Sequence, residues 1–272
     1  MSPTHQNDAP AAGAVISAGL TLLLSAACGI VVANIYYVQP LVGLISRSYG
    51  LPLSSAGTLV TVTQLGYAAG LVLVVPLGDV VENRRTILAM LVALVAALAL
   101  AFTARTIATF LAASAVIGVM SSSVQIMVPL AGHLAPDASR GRTVGNVVSG
   151  LLFGIMLSRP AASFVAEVAG TRSIFILSAG AVAILAFLLR IRLPRRRPQG
   201  MPYLRALASL GPLLVHTKVL HRRATYQGAL FGAFSLFWTA VPLLLEGPRF
   251  GFSQLGIGVF ALVGAGGALI SP

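Results

Sequence analysis

Long apolar stretches alternate with short polar ones along the whole chain. The apolar stretches run to about 20 residues, which as a helix crosses a bilayer core of roughly 30 Å. Helices are expected because backbone groups in lipid must pair within their own segment, and the sequence lacks the alternation of barrel strands. The pattern predicts seven full spans and a shorter eighth, at residues 14–44, 56–78, 86–104, 108–132, 144–168, 173–190, 225–245 and 256–271.

Composition agrees with this pattern. Of the 272 residues, 57% are hydrophobic and only 9% are charged, and the mean hydropathy is +0.93. Soluble domains have about a quarter of their residues charged, so the sequence predicts an all-α polytopic membrane protein. The leader MSPTHQNDAPAAG has no Lys or Arg, and the first apolar stretch is too long for a cleaved signal, so no secretory signal is expected.

The net charge of +12 is divided unevenly between the two sides of the predicted membrane. Loops on the side of the amino terminus carry 13 Lys or Arg, nine of them from Arg190 to Arg223, whereas the opposite loops carry four. Loops rich in Lys and Arg stay in the cytoplasm, so a cytoplasmic amino terminus is expected. Because the cations mark topology, nucleic acid is not expected as a partner.

Residues for catalysis or metal binding do not gather in the sequence. Cys28 is the single cysteine, the four His are scattered, and no Gly-rich phosphate loop follows a strand. An enzyme, a metal site and a resident cofactor are therefore not expected.

The chain divides at its most basic stretch. Residues 1–13 are expected to form a cytoplasmic tail, 14–190 a six-helix bundle, 191–224 a basic cytoplasmic central loop, and 225–272 the start of a second bundle. Within the loop, apolar residues alternate with cations as in a short helix on the membrane surface.

The exit from the seventh span repeats the exit from the first. Residues 36–51 read YYVQPLVGLISRSYGL and residues 238–252 read WTAVPLLLEGPRFGF, and in both an Arg follows the Pro by seven residues. Parallel repeats of this kind build secondary transporters, whose two bundles enclose a central site. In this register the chain stops within its eighth helix, so a transporter lacking its last third is expected.

A cluster of charged residues between the second and third spans resembles the signature loop of the major facilitator superfamily, G-x-x-x-D-R-x-G-R-R. Asp79 and Arg84 match it, Arg85 extends its basic end, and Gly78 lies near the first Gly, whose place Val75 takes. The other departures are Val80, Glu82 and Asn83. Three segments are similar to sequences of the multidrug-efflux-like bacterial branch of this family: ANIYYVQPL, TVTQLGYAAG and FSLFWTAVPLL.

The resemblance implies two rocking bundles latched by this loop, together with a late helix that this sequence does not contain. Simple interfacial anchoring by charged residues is the alternative. Asp79 lies at a helix carboxyl end, where an acid needs compensation, and Arg84 and Arg85 are the expected partners. In the fifth helix, Ser158 and Arg159 stand where the antiporters of the family have Gly and Pro, which weakens an antiport assignment.

Arg159 is the most informative residue within the spans. An Arg near the middle of the bilayer costs roughly 2.5–3.5 kcal/mol on insertion scales, so it should face a wet cavity or a partner. Binding an anionic group and biasing a proton relay both fit, and snorkelling toward one face is the alternative.

Uncharged polar residues recur at helical spacing in several spans. They predict a substrate cavity, although hydrogen bonds between helices would enrich the same residues. The predicted cavity residues are Asn34, Tyr37, Gln64, Tyr67, Gln125, Arg159 and Trp238. No carboxylate lies in the middle of a span, so proton coupling stays open.

Together these features predict a secondary active transporter that moves a small organic molecule, drug-like or metabolite, by alternating access, with efflux favoured. The alternatives are a membrane remnant that does not transport and a partial subunit whose partner chain supplies the missing helices. The lipid bilayer is the other expected partner.

Overall fold

A computed structural model describes residues 16–198 and 202–270 of the chain. Within these ranges the backbone forms eleven α-helices and no β-strand. The predicted tail, residues 1–13, lies outside the described residues. The helices are α1 Ala18–Ala33, α2 Val38–Ser48, α3 Gly57–Leu73, α4 Asn83–Thr103, α5 Ile107–Ser121, α6 Val124–Leu134, α7 Arg140–Ala169, α8 Ser173–Arg192, α9 Tyr203–His216, α10 Lys218–Glu246 and α11 Gln254–Ile270.

Seven helical stretches are long and apolar enough to cross a membrane, which confirms the all-α polytopic fold. They are Ala18–Ser48, Gly57–Asp79, Asn83–Thr103, Ile107–Leu134, Asp137–Ala169, Ser173–Arg192 and Lys218–Glu246. The eighth predicted span corresponds to α11, of which Gln254–Gly264 forms a shorter apolar helix.

The predicted starts of two spans lie clearly later in the sequence than the starts in the structure. The fifth and seventh spans begin at Asp137 and Lys218, before the predicted residues 144 and 225, because helices continue past the apolar core that hydropathy marks. The central segment contains α9, where the sequence predicted a short helix, and its last residues, 218–224, are the first turns of α10.

The first span is broken between α1 and α2. Residues 34–37 form turns, and the side-chain amide of Asn34 donates to the Ile30 carbonyl oxygen over 2.8 Å. Such side-chain bonds compete with the helical backbone pattern. Pro40 falls in the first turn of α2, where a helix needs no backbone N–H from it. The break presents side chains to the centre of the molecule.

Helices α1 to α8 form one bundle, in which α1 packs on α7, α3 on α5 and α4 on α8. Two of these crossings bring backbones into contact through glycine. A Cβ at Gly154 would lie 2.1 Å from the Gly29 carbonyl oxygen, and one at Gly118 would lie 2.1 Å from the Thr63 carbonyl oxygen. Small residues allow membrane helices to approach this closely.

Helices α10 and α11, which together we call the second body, contact the bundle more than they contact each other: α10 packs on α2 and α11 packs on α7. We call the side of loops 80–82, 135–139 and 193–198 the basic end, and the side of loops 49–56, 104–106, 170–172 and 247–253 the far end. Residues 218–233 of α10, toward the basic end, are exposed, whereas Pro242 and Leu245 are buried. The two bodies therefore meet toward the far end and separate toward the basic end.

Candidate functional site

Arg159 occupies the seam between the two bodies. It is on α7, only 3% exposed, although an Arg is normally kept in water. Its Nε donates to Oε1 of Gln39 on α2 over 3.0 Å, and its Nη1 donates to the Ile155 carbonyl oxygen over 3.2 Å. The head group is thus drawn inward, which argues against snorkelling to a membrane face.

Aromatic rings surround the guanidinium. Its central carbon lies 4.9 Å from the ring centre of Tyr36, 4.8 Å from that of Phe234 and 4.4 Å from that of Trp238. Tyr36 belongs to the bundle, whereas Phe234 and Trp238 belong to α10. Cation–π attraction of this kind strengthens when the partners are desolvated. These rings, with Arg159 and Gln39, form what we call the arginine cluster, and both bodies contribute to it.

Two donors of the arginine cluster have no hydrogen-bond partner among the described residues. They are Nη2 of Arg159 and Nε2 of Gln39, and both atoms are buried. Within residues 16–198 and 202–270, no carboxylate forms a salt bridge with Arg159. The cluster therefore carries a positive charge that the described chain does not balance.

Other predicted cavity residues fall into two groups. The Gln125 amide donates to the Tyr67 hydroxyl over 3.1 Å, so these two residues form a pair between α6 and α3.

The second group lies elsewhere in the bundle. The Ser178 hydroxyl of α8 donates to Asn34 Oδ1 over 2.7 Å, and Tyr37 is buried. Asn34 thus makes an interhelical hydrogen bond of the kind that the alternative interpretation predicted. Gln64 joins neither group, and its Nε2 is buried with no partner in the described chain.

The signature loop is organised differently from its expected pairing. Asp79 is exposed and forms no salt bridge with any described residue. Arg84 instead donates to the carbonyl oxygens of Arg190 and Leu193, at the carboxyl end of α8. Arg85 lies 3.5 Å from Glu82. The reason is that α4 begins at Asn83 and directs Arg84 toward α8, where a cation stabilises the helix end.

The rest of the loop is fastened to the central segment. The backbone N–H of Asn83 donates to the Arg196 carbonyl oxygen over 3.1 Å, and Glu82 lies 4.0 Å from Arg195. Gly78 is buried, and a Cβ there would lie 3.0 Å from Ile126. All these contacts lie outside α10 and α11.

Sequence reasoning missed an ion pair that joins the bodies at the far end. Arg47 at the end of α2 contacts Glu246 at the end of α10. The two are 199 residues apart, so spacing gave no signal. Gln39 was missed as well, although a signal existed: it is a polar residue inside a span, three residues after Tyr36 and hence on the same helix face.

A cleft of about 730 Å³ opens between α1 and α7 toward the basic end. Sequence reasoning did not single out its polar residues, which include Ser25, Asn146 and Ser149. Ser25 donates to the Asn146 carbonyl oxygen over 2.8 Å. No group of three or more His, Cys, Asp or Glu suited to a metal ion occurs in the described part of the chain.

Two bundles meeting at a buried polar seam define a membrane transporter fold. The sequence pattern of the Major Facilitator Superfamily matches residues 17–272, and the chain belongs to that family. It is a multi-pass membrane protein.

Named relatives are themselves transporters of unspecified cargo. The chain is 39% identical over 245 residues to the uncharacterized transporter YgaY of Escherichia coli O157:H7, covering 90% of this chain and 62% of the relative. It is 35% identical over 259 residues to the probable transporter SCO4007 of Streptomyces coelicolor, covering 94% and 60%. The chain therefore spans about three fifths of the length of these relatives.

Solved structures agree on the fold. A bacterial homologue of the human lysosomal transporter Spinster, crystallised inward-facing and unoccupied, superposes with a TM-score of 0.67 at 14% identity, covering 92% of this chain and 60% of that one. The POT family transporter PepTSo gives a TM-score of 0.55 at 13% identity, covering 91% and 52%. At such identities the likeness concerns the fold alone.

Proposed function

We propose that the chain is the substrate-binding part of a secondary active transporter that moves a small organic molecule outward across a bacterial inner membrane. The observation that carries this proposal is the arginine cluster, a buried cation held jointly by two bodies. In two-bundle transporters the substrate lies at the interface of the bundles near the bilayer midplane. A buried cation there is expensive and marks a functional site by default.

Alternating access follows from the way the bodies touch. If the basic end is cytoplasmic, as the distribution of cations favours, the bodies are closed toward the periplasm and open toward the cytoplasm. The exposure of residues 218–233 of α10, beside the buried Pro242 and Leu245, supports this reading. The opposite state would separate Arg47 from Glu246 and draw Phe234 and Trp238 away from Arg159.

Orientation is tested with reporter fusions after Arg197 and after Arg249. We expect a cytoplasmic reporter to be active at the first site and a periplasmic one at the second, because the two sites lie at opposite ends of α10. The same answer at both sites would contradict the topology.

Transport is tested on two proteins: the 272-residue chain, and this chain extended by the carboxyl-terminal part of a relative. We expect energy-dependent, saturable efflux of a fluorescent amphiphile from cells with the extended protein, and collapse of that efflux by a protonophore. Arg159→Leu should abolish efflux at unchanged expression, whereas the exposed Arg105→Leu should not. Full efflux by Arg159→Leu would reject the proposed role of the cluster.

A second candidate is a partial subunit that works with a partner chain. It is favoured by the exposed, apolar surface of α10, where Leu230 is 68% and Leu236 is 70% exposed. Lipid or further helices would cover such a surface. Co-purification of the 272-residue chain with a separately expressed carboxyl-terminal part, and efflux from the pair alone, would support this candidate.

A further inference from the structure

The arginine cluster has unused donors and an unbalanced positive charge. We infer that it binds the anionic group of the transported molecule, and that this molecule is an organic monocarboxylate with an apolar body. The inference rests on the transport function proposed above, whose substrate class it names.

The charge of the site selects for an anion. Every described partner of the Arg159 guanidinium is neutral: the Gln39 amide oxygen, the Ile155 carbonyl oxygen and three aromatic ring faces. Gln39 is 0% exposed and Arg159 is 3% exposed, so water screens this charge little. Coulomb interactions are strong in such a place. A bound anion would balance the cation, whereas a cationic molecule would be repelled.

The free donors suit a carboxylate. Nη2 of Arg159 and Nε2 of Gln39 are both unpartnered within the described chain, and the Arg159 Nε–Gln39 Oε1 hydrogen bond holds their two side chains together. A carboxylate has two acceptor oxygens, and charge-assisted bonds to a guanidinium are stronger than neutral ones. A single guanidinium balances one negative charge, which favours a monoanion over a phosphate dianion.

The rings define the rest of the molecule. Tyr36, Phe234 and Trp238 surround the charged group with apolar surface, as in small-molecule sites where a few polar groups fix the orientation of an apolar body. Phe234 and Trp238 belong to the second body, so a bound molecule would contact both bodies at once. Substrate binding and rocking are thereby linked through one cluster.

The chain contains its own reporter of this site. Trp238 is its single tryptophan and lies 4.4 Å from the guanidinium carbon of Arg159. The 272-residue chain, in nanodiscs of zwitterionic lipid, is titrated with cyclohexanecarboxylate while tryptophan fluorescence is recorded. Cyclohexanecarboxamide and cyclohexylmethylammonium serve as matched neutral and cationic probes, and none of the three absorbs where tryptophan does.

We expect a saturable change in Trp238 fluorescence with the carboxylate. The amide should bind about tenfold more weakly or worse, because it forfeits a charge-assisted bond, and the ammonium should not bind. Arg159→Gln and Gln39→Glu should each weaken carboxylate binding by about tenfold or more, the second because its own carboxylate would occupy Arg159. Arg105→Gln, an exposed Arg in the loop between α4 and α5, should bind as the unchanged chain does.

Equal binding of the three probes, or no binding of the carboxylate, would overturn the inference, as would unchanged binding by both Arg159→Gln and Gln39→Glu. If Arg159→Gln elutes as an aggregate in size-exclusion chromatography, Gln39→Glu alone decides. The readout needs no transport. Carboxylate binding without efflux by the extended protein would therefore count against the proposed function only, and efflux without carboxylate binding would count against this inference only.

Discussion

The eight-helix bundle and the α10–α11 body are held together by different kinds of contact. Inside the bundle, glycines bring backbones together, as where Gly154 meets Gly29 and Gly118 meets Thr63. Across the seam, α10 is held by side chains: the aromatic rings around Arg159, and the Arg47–Glu246 ion pair. Helix α11 instead packs closely on α7, where a Cβ at Gly258 would lie 3.2 Å from Ser163.

Under the alternating access proposed above, this difference predicts which part would move. A body built on glycine crossings would keep its shape, since protein interiors pack densely and transmit strain. The side chains around Arg159 would rearrange whenever the bodies moved.

The largest effect is expected from adding a side chain at a glycine crossing within the bundle. Gly154→Leu should prevent the bundle from packing, at a cost of about 3 kcal/mol or more, because the added side chain meets the Gly29 backbone, which cannot rotate away. Gly232→Leu in α10 is the matched control, since nothing lies within 4 Å of a Cβ there. Thermal unfolding of the 272-residue chain in detergent measures both. Equal stability of the two variants would mean that the crossing is not a backbone contact.

A smaller effect is expected where the signature loop is fastened within the bundle. Arg84→Ala removes donors to two carbonyl oxygens at the end of α8 and should cost about 1–2 kcal/mol. Arg85→Ala is the control, because Arg85 is exposed and pairs only loosely with Glu82, at 3.5 Å; such pairs contribute about 0.5 kcal/mol or less. If Arg85→Ala proves as damaging as Arg84→Ala, the assignment of Arg84 to the end of α8 is wrong.

Much of the fold could be predicted from the sequence, because hydropathy in a membrane protein records the span lengths directly. The seven spans followed from apolar length. The starts of the fifth and seventh spans could not be predicted from hydropathy. The helices α7 and α10 begin in polar residues such as Arg140 and Lys218, which hydropathy assigns to loops.

The site was predictable only in part. Arg159 and Trp238 were recognised because a charge and the single tryptophan are conspicuous inside apolar spans, and the structure brings them together. Gln39 comes from α2, and the packing of α2 on α7 and of α10 on α2 brings it beside Arg159 and Trp238. Phe234 lies four residues before Trp238 on α10, and the same packing brings it to Arg159. The Arg47–Glu246 pair was unpredictable for the same reason.

The far-end ion pair tests whether the seam opens as a side-chain contact. A charge reversal at one partner alone, Arg47→Glu or Glu246→Arg, should destabilise the closed far end. The double variant, in which both charges are reversed, should restore it. Arg47 is 53% exposed at its side chain, so the coupling should be modest, about 0.5–1 kcal/mol. Spin labels at Ser48 and Phe250, in a Cys28→Ala background, should report a longer distance in each single variant. Unchanged distances in both would show that the far end stays closed without this ion pair.

The smallest expected effect on stability is at Asp79. Its substitution should act differently in the 272-residue chain and in the extended protein. Asp79 is exposed and has no salt bridge among the described residues, and its loop contacts α6, α8, α9 and the segment after α8. Asp79→Asn should therefore leave the thermal stability of the 272-residue chain unchanged, since removing an exposed, unpaired charge typically changes stability by less than about 0.5 kcal/mol.

In the extended protein the resemblance to the signature loop implies a partner for this carboxylate on a late helix of the second body. There the same substitution should lower efflux while expression stays constant, because a latch between the bodies would be weakened. Arg85→Ala, which alters charge in the same loop, controls for a general effect of charge on insertion. If Asp79→Asn destabilised the short chain as much as Arg84→Ala does, Asp79 would belong to the rigid bundle; if it left efflux by the extended protein untouched, the loop would be an interfacial anchor and not a latch.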